Sequence, residues 1–322
     1  MSVKKINVKR VVIENLSLVF IFAIILFFAL SSSRFFTIRN FKSILMEWSI
    51  LSVLAAGFTY VIIANEFDLS FGYLIGLSSV VAALLTKANV GFPFMILIVL
   101  LIGASVGSIN GLLITRMGIP AFLATIGMGA VCQGINYFFS GAAAIPLKSR
   151  QLPSFFIFLG QKSLINMPAL LLLSLPLAII AYFYANHTKF GQHLYVIGIN
   201  PDAAKKVGIN IKKGKLIAMM LNGIAAAIVG LMITARTNSG QAAAGPEYLN
   251  DVFASVFFGM SLFKAGEPNI GGSLVGALFI ITISNGLRLM NMPFYYHMIS
   301  TGIVILIGVG IVSLMHRQHL KK

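Results

Sequence analysis

Long apolar stretches separated by short polar breaks recur along the whole chain. Most of them hold about 20 residues, which a helix needs to cross the roughly 30 Å hydrocarbon core of a bilayer. We therefore predict an all-α, polytopic membrane protein of about ten transmembrane helices, with residues 1–322 forming a single transmembrane domain. The predicted spans are residues 11–30, 44–64, 70–86, 92–114, 119–139, 167–185, 216–235, 251–263, 270–287 and 294–315.

The composition agrees with this pattern. Of the 322 residues, 58% are hydrophobic and 10% are charged, whereas a soluble domain carries about 25% charged residues. The net charge of +16 is concentrated at span ends and in one loop, and no basic stripe interleaves with aromatic residues. We therefore expect a lipid bilayer and no nucleic acid as partner. Cys132 is the only cysteine, so no disulfide framework or thiolate metal site is expected.

One long polar connection, residues 186–215, is named the basic loop below. It holds six lysines and a single acidic residue, Asp202. Because cytoplasmic loops carry an excess of Lys and Arg, we predict that the basic loop is cytoplasmic. The first apolar stretch has basic residues before it and no small-x-small cleavage pattern after it, so we predict a retained first span. With ten crossings, both termini would lie in the cytoplasm.

A short polar break between two apolar runs contains Asn65, Glu66, Asp68 and Ser70. An isolated charge in hydrocarbon costs several kcal/mol, so this turn must lie at an interface or inside the bundle. Asp68 or Ser70 could cap the helix that follows. Alternatively, the turn borders a solute pathway, since discontinuous membrane helices commonly bind polar solutes.

Small residues also follow a regular pattern within the spans. Gly103, Gly107 and Gly111 are four residues apart and therefore lie on one helix face. Such a face lets two helix backbones approach closely. We interpret this stripe as a packing surface.

No enzymatic motif was found. The His-Glu-x-x-His pattern is absent from the sequence. Gly103-Ala104-Ser105-Val106-Gly107 matches Gly-x-Ser-x-Gly by letter, but it lies inside a predicted apolar span and not at the strand-to-helix turn of a nucleophile elbow. The stretch from Gly208 to Lys215 is one residue too long for a phosphate-binding loop, and Leu216 replaces its Ser or Thr. We therefore expect no catalytic residues and no cofactor, and any ATP hydrolysis would take place in another subunit. An alternative from a different class is an ion-coupled secondary transporter of a small polar solute, titrating at Glu66, Asp68 or Asp251.

Four motifs occur in a fixed order along the chain. They are Phe36-Thr37-Ile38-Arg39-Asn40-Phe41, Phe67-Asp68-Leu69-Ser70-Phe71-Gly72, the run from Ile119 to Gly127 that includes Thr125, and Gly198-Ile199-Asn200-Pro201-Asp202-Ala203-Ala204 continuing to Gly208-Ile209. In this order they resemble the permease subunits of bacterial ABC importers for ribose and related simple sugars, including the autoinducer-2 branch. The resemblance extends from about Phe35 to Val312.

The resemblance implies a type II importer-like permease fold in the cytoplasmic (inner) membrane, moving a simple sugar or sugar-like solute. It implies a cytoplasmic ABC ATPase, an extracytoplasmic sugar-binding protein, and a second permease, either an identical copy or a related chain. One departure concerns Asn65-Glu66, which stands where the family usually has Gly-Gly. The candidate pathway residues are Asn65, Glu66, Asp68, Ser70 and Thr125.

The resemblance also implies that part of the basic loop is the coupling helix that seats in a cleft of the ATPase. Asn200 and Pro201 suit a helix start, and Gly208 suits its end. We expect Ala203 and Ala204 to offer a small, flat face to the partner. Alternatively, the lysines merely set orientation. The candidate coupling residues are Asn200, Pro201, Asp202, Ala203, Ala204, Lys205 and Gly208.

An acidic segment on the opposite side of the membrane contains Glu247, Tyr248 and Asp251. Docking between rigid partners commonly uses complementary charge, which raises the association rate. We therefore expect this segment to face the binding protein. Alternatively, Glu247 is an acid that stabilises the start of the next helix.

Overall fold

The structure is a computed structural model that describes residues 8–148, 152–164, 167–263 and 266–319, with side chains described from Ser17 to Ser313 within those ranges. The ends of the chain, for which a cytoplasmic location is predicted, extend beyond these residues. The helices are α1 (Val8–Ser31), α2 (Ile38–Ile63), α3 (Ser70–Lys87), α4 (Phe92–Thr115), α5 (Ala121–Ser140), α6 (Ser154–Gln161), α7 (Leu171–His187), α8 (Lys189–Ile199), α9 (Pro201–Lys206), α10 (Ile211–Thr237), α11 (Pro246–Gly259), α12 (Ile270–Leu289) and α13 (Phe294–His319).

The described strands are two residues long and pair antiparallel. Strand β1 (Ile145–Pro146) pairs with β4 (Ser239–Gly240), and β2 (Ser163–Leu164) pairs with β3 (Met167–Pro168). The first pair joins the connection after α5 to the end of α10. The second pair closes the short segment between α6 and α7.

The predicted all-α, polytopic architecture is confirmed. In the described part of the chain, α2, α3, α4, α5, α10, α12 and α13 are long and apolar enough to cross a membrane, and the α7–α8 pair, bent by 67°, can be an eighth span. A helix also lies at the other two predicted spans. The span predicted at residues 251–263 is displaced, however: α11 begins at Pro246 and has 14 residues. It is therefore about 21 Å long, shorter than the membrane core.

The helices form an inner and an outer set. The apolar window of α2 is 78% buried and that of α3 is 72% buried, whereas only 22% of the window is buried in α4 and in α13. Mostly exposed apolar helices suit contact with lipid, where hydrocarbon replaces water as the solvent. The polar side chains described below come from the inner helices and from the inward faces of outer ones, such as Asn110 of α4, which is buried.

The glycine stripe of α4 packs against α10. A Cβ at Gly107 would lie 2.3 Å from the carbonyl oxygen of Met219, and one at Gly103 would lie 2.5 Å from that of Gly223. Both distances are shorter than any real Cβ contact, so the backbones touch only because these positions lack a side chain. The predicted packing role of the stripe is confirmed.

Helix α10 has 27 residues and is therefore about 40 Å long, so its ends define the two ends of the bundle. The loop end is the one at Ile211, where the basic loop joins α10. The far end is the one at Thr237. The turn between α2 and α3 lies at the loop end, since Glu66 contacts Lys215. The first turns of α2 lie at the far end, since Glu47 contacts Arg236.

Candidate functional site

The turn between α2 and α3 carries a fully buried carboxylate. Asp68 is 1% exposed, and its Oδ1 accepts hydrogen bonds from the backbone N–H of Ser70 at 2.8 Å and the Ser70 hydroxyl at 2.7 Å. These bonds supply a partner for one of the otherwise unpaired N–H groups at the start of α3. The N-cap residue of α3 is Leu69, which makes no side-chain cap, so Asp68 stabilises the beginning of α3 from the position before the N-cap.

Two asparagines from distant helices complete this polar cluster. The Nδ2 of Asn222 in α10 donates to Oδ2 of Asp68 at 2.9 Å. The Nδ2 of Asn110 in α4 donates to the hydroxyl of Ser70 at 2.8 Å. Both asparagines are buried, and among the described residues neither Oδ1 has a hydrogen-bond partner. The cluster thus ties the start of α3 to α4 and α10.

The neighbouring side chain, Phe67, lies in a different environment. Its ring centroid is 5.8 Å from that of Phe58 in α2 and 5.0 Å from that of Phe253 in α11. Phe71 contacts the same two rings. The turn is therefore held by polar contacts through Asp68 and by aromatic contacts through Phe67.

Asn65 and Glu66 occupy the beginning of the same turn. Asn65 has a φ of 54°. The N–H of Glu66 donates to the carbonyl of Val61, and the N–H of Asn65 to that of Ile62, which is the Schellman pattern that commonly ends a helix. Asparagine is the residue that most readily replaces glycine in the left-handed region. The absence of the family's paired glycines therefore leaves this turn intact.

Glu66 forms an ion pair with α10. Its Oε1 lies 2.5 Å from the Nζ of Lys215, and both side chains are mostly buried. The two residues are 149 positions apart in the sequence. The pair fixes the turn to the first part of α10, at the last residue of the basic loop.

The basic loop is largely helical and lies against the end of α2. In α8, a Cβ at Gly198 would lie 1.9 Å from the carbonyl oxygen of Ile63, so the two backbones are in direct contact. A cavity of about 800 Å³ opens beside this contact. Asn65 and Glu66 line it together with Tyr195, Gly198 and residues 266–268. The structure thus brings two candidate pathway residues next to the basic loop.

The helix predicted from Asn200 and Pro201 is present as α9. The Oδ1 of Asn200 accepts the N–H of Ala203 at 2.9 Å, and Pro201 occupies the first helical position. Gly208, with a φ of 80°, follows the end of the helix. The N–H of Ile209 donates to the carbonyl of Ala204. Local sequence therefore determines both ends of α9.

Of the two alanines expected to form a flat exposed face on α9, only one is exposed. Ala203 is exposed, but Ala204 is fully buried because it lies on the side of α9 that faces the rest of the chain. Asp202 and Lys205 are exposed as well. Two large apolar residues beside the helix are also exposed, Ile199 by 75% and Val207 by 72%. The surface that α9 offers to a partner therefore includes Ala203, the charged Asp202 and Lys205, and these two apolar side chains.

At the far end, charged side chains from three helices meet. Glu47 of α2 forms ion pairs with Arg236 of α10, at 3.5 Å, and with Arg288 of α12. The sequence interpretation did not include these residues. An acid at position 47, inside a predicted apolar span, was the signal for a buried polar partner, but its partners lie more than 180 residues away in the sequence.

The acidic segment Glu247, Tyr248 and Asp251 lies beside this network. Its three residues line a cavity of about 420 Å³ together with Glu47, Arg236 and Arg288. Glu247, in the first turn of α11, is exposed. Asp251 is half-buried, and its Oδ1 lies 3.3 Å from Nε2 of His297 and accepts the hydroxyl of Thr301 at 3.3 Å.

The fifth candidate pathway residue, Thr125, is buried in α5. Its hydroxyl donates to the carbonyl of Ala121 at 2.8 Å, so its hydrogen bond stays within its own helix. The structure therefore gathers Asp68 and Ser70 in one polar cluster, Asn65 and Glu66 along one cavity, and Thr125 in neither.

Comparison with known proteins agrees with this architecture. The profile of the family described as the permease component of the branched-chain amino acid transport system matches residues 40–309. The chain is 30% identical to the ribose import permease of Escherichia coli strain K12, over 94% of each chain. It is also 30% identical to the D-allose transport permease of the same organism, over 92% of this chain and 91% of the relative.

A third relative is the xylose transport permease of Haemophilus influenzae, 30% identical over 91% of this chain and 94% of that protein. No solved structure matched the chain. The family profile covers most of the chain and the relatives are similar over nearly their whole length. The chain therefore belongs to this permease family and is a multi-pass protein of the inner membrane.

Proposed function

We propose that this member of the branched-chain-type permease family is the membrane-spanning subunit of an ATP-driven importer of a simple sugar. The similarity to ribose, allose and xylose permeases over about nine-tenths of the chain is the observation that carries the proposal. ATP is hydrolysed in a separate cytoplasmic subunit. The permease itself supplies the path and has no catalytic residue.

The bundle has its loop end in the cytoplasm. Lysines 189, 205, 206, 212, 213 and 215 are all in the basic loop, and an excess of basic residues marks cytoplasmic loops. The far end then faces outward. In this orientation both termini are cytoplasmic.

Helix α9 is the contact with the ATPase. Ala203 is exposed, and so are two apolar side chains four residues before and after it in the sequence, Ile199 and Val207. Ile199 is the last residue of α8 and Val207 directly follows α9, and a partner that seats on α9 would cover both apolar side chains. Asp202 at the start of the helix and Lys205 and Lys206 in its last turn complement the helix dipole.

Movement of α9 reaches the interior through the turn between α2 and α3. Helix α8 rests on the end of α2 at Gly198, and α10 holds Glu66 through Lys215. The same turn carries Asp68, whose hydrogen bonds reach α4 through Ser70 and α10 directly. Asn65, Glu66, Asp68 and Ser70 thus border or hold the solute path, with Thr125 on the adjoining α5.

An extracytoplasmic sugar-binding protein docks at the far end. Glu247 is exposed there, whereas Tyr248 and Asp251 lie deeper in the cavity. Glu247 is therefore the residue of this segment best placed for docking. The complete transporter contains a second permease, either an identical copy or a related chain.

The test is uptake by proteoliposomes that contain the permease, its ATPase and its binding protein. Uptake of radiolabelled D-ribose, D-allose or D-xylose should require ATP and should persist when an uncoupler dissipates the proton gradient. Uptake that an uncoupler abolishes while ATP is maintained would overturn the proposal in favour of an ion-coupled transporter.

A further inference from the structure

The cavity at the far end has the properties of a small-molecule site. Its volume is about 420 Å³, within the range of about 300 to 1,000 Å³ that is typical of ligand pockets. Its lining comes from α2, α10, α11, α12 and α13. The polar and charged lining residues are Glu47, Arg236, Glu247, Tyr248, Asp251, Ser284, Arg288 and His297.

The charges in this cavity nearly cancel. Three carboxylates face two guanidinium groups and one imidazole. The carboxylate of Glu47 lies between both arginines, and that of Asp251 contacts His297. One negative charge is in excess when the imidazole is neutral, and none is in excess when it is protonated. Such a cavity offers no net attraction to an anion, and a phosphate group would meet three carboxylates.

The same groups suit hydroxyl-rich ligands. Carboxylates accept hydrogen bonds, guanidinium groups donate them in a fixed geometry, and a tyrosine hydroxyl does both. Glu47 is nearly buried, with 12% of its side chain exposed, whereas Arg288 is 51% exposed. The cavity therefore has a carboxylate at its base and an arginine at its mouth, held in place by their mutual ion pair.

A second cavity continues the polar surface. It has a volume of about 400 Å³, shares Arg236, Glu247 and Tyr248 with the first cavity, and adds Thr237 and Gln241. The two cavities are therefore adjacent, and polar groups line both of them around Tyr248. Two adjacent polar cavities distinguish the region from an isolated structural ion pair at a helix end.

We infer that the far-end cavity is a receiving site for an uncharged, hydroxyl-rich solute such as a pentose or hexose, which Glu47, Tyr248 and Arg288 bind by hydrogen bonds. This inference rests on the proposed function, because it assigns the first site that the solute occupies in the permease. The arginines act through their fixed donors, and no charge on the solute is required.

Direct binding tests the assignment. The permease and its ATPase are purified together in lipid nanodiscs, without the binding protein, and titrated by saturation-transfer NMR with D-ribose, D-allose, D-xylose and D-ribose 5-phosphate. At least one neutral sugar should bind, and the phosphate ester should not. Arg288→Gln and Tyr248→Phe should each raise the apparent Kd about fivefold, the effect of losing one hydrogen bond. Arg39→Gln, an exposed position that does not line the cavity, should have no effect.

The Tyr248→Phe variant removes only one hydroxyl and keeps the test valid if Arg288→Gln fails to fold. Failure of every neutral sugar to bind the native complex would overturn the assignment, as would unchanged binding by Tyr248→Phe, or preferential binding of the phosphate ester. ATP-dependent uptake by the complete transporter distinguishes failure of the site assignment from failure of the proposed function. If uptake persists without binding here, the site assignment falls and the proposed function stands.

Discussion

The ammonium group of Lys215 lies 2.5 Å from the carboxylate of Glu66. Lys215 is four residues beyond the start of α10, and Glu66 lies in the turn that leads to Asp68. This ion pair therefore joins the end of the basic loop to the polar cluster inside the bundle. In the proposed transporter it carries movement from the ATPase side to the start of α3.

Neutralising this lysine should uncouple transport from hydrolysis. Lys215→Gln removes the ion pair and leaves the mostly buried Glu66 without its cationic partner. This change should weaken the attachment of the turn to α10 by about 1–3 kcal/mol of free energy. We expect less sugar transported per ATP hydrolysed, with the ATPase still copurifying. Lys212→Gln, at an exposed position one turn earlier, is the matched control and should behave as the native protein. Equal stoichiometry in the two variants would contradict the role of the pair.

The two partners of the Asp68 carboxylate should differ in their effect on stability. Asn222→Leu leaves Oδ2 of a buried carboxylate without its donor and should destabilise the protein by about 1–3 kcal/mol. Asp68→Asn should be milder, because rotation of the Asn222 amide would present its Oδ1, which lacks a partner among the described residues, to the new amide. Thermal unfolding of the purified permease measures both.

The opposite order of stability would mean that the charge of Asp68, rather than its hydrogen bonds, holds the turn. Uptake in Asp68→Asn then separates the remaining roles. Normal folding with lost uptake would support a pathway role for Asp68. Normal folding with normal uptake would assign Asp68 to helix capping alone.

The orientation of the bundle predicts which thiols react in intact cells. A cysteine in place of Ser163 should react with a membrane-impermeant maleimide added outside, and one in place of Lys205 only after permeabilisation. Both positions are exposed. The single native cysteine, Cys132, is buried, so its background labelling should be low. The reversed pattern would place the basic loop outside and exclude its contact with a cytoplasmic ATPase.

Reversing the exposed acid at the far end should slow docking of the binding protein. Glu247→Lys should lower binding-protein-stimulated ATP hydrolysis at low salt and leave basal hydrolysis unchanged, with Glu247→Gln giving a smaller effect. The difference should shrink with ionic strength, since the Debye length falls to about 10 Å at 0.1 M salt. If Glu247→Lys leaves binding-protein-stimulated hydrolysis unchanged at every salt concentration, Glu247 instead serves as a helix-stabilising acid in the first turn of α11.

Sequence alone predicted elements whose causes are local. The ends of α9 follow from Asn200, Pro201 and Gly208, and the spans follow from runs of apolar residues. The contact of α4 with a neighbouring helix follows from the spacing of Gly103 and Gly107. Each of these features depends on residues within a few positions of one another, so the pattern contains the necessary information.

The remaining features depend on contacts between distant parts of the chain. The sequence could not predict that Lys215 pairs with Glu66 or that Asn222 binds Asp68. Many arrangements of helices are compatible with the same apolar runs. The burial of Ala204 could not be predicted for the same reason, because packing of α9 against α8 and α10 determines which side of this short helix is buried. The charged cavity around Glu47 likewise required the relative placement of five helices.

The contact between α9 and the ATPase is the central claim, and site-specific crosslinking tests it most directly. The photoreactive amino acid p-benzoylphenylalanine replaces Ala203 in the assembled transporter. The control position is Ser163, which lies near the far end because the neighbouring Gln161 donates a hydrogen bond to Asn238. Irradiation should attach the ATPase subunit to the permease from position 203 and not from position 163. A complex in which the ATPase copurifies, yet forms no adduct from position 203 or forms one from position 163, would contradict the account.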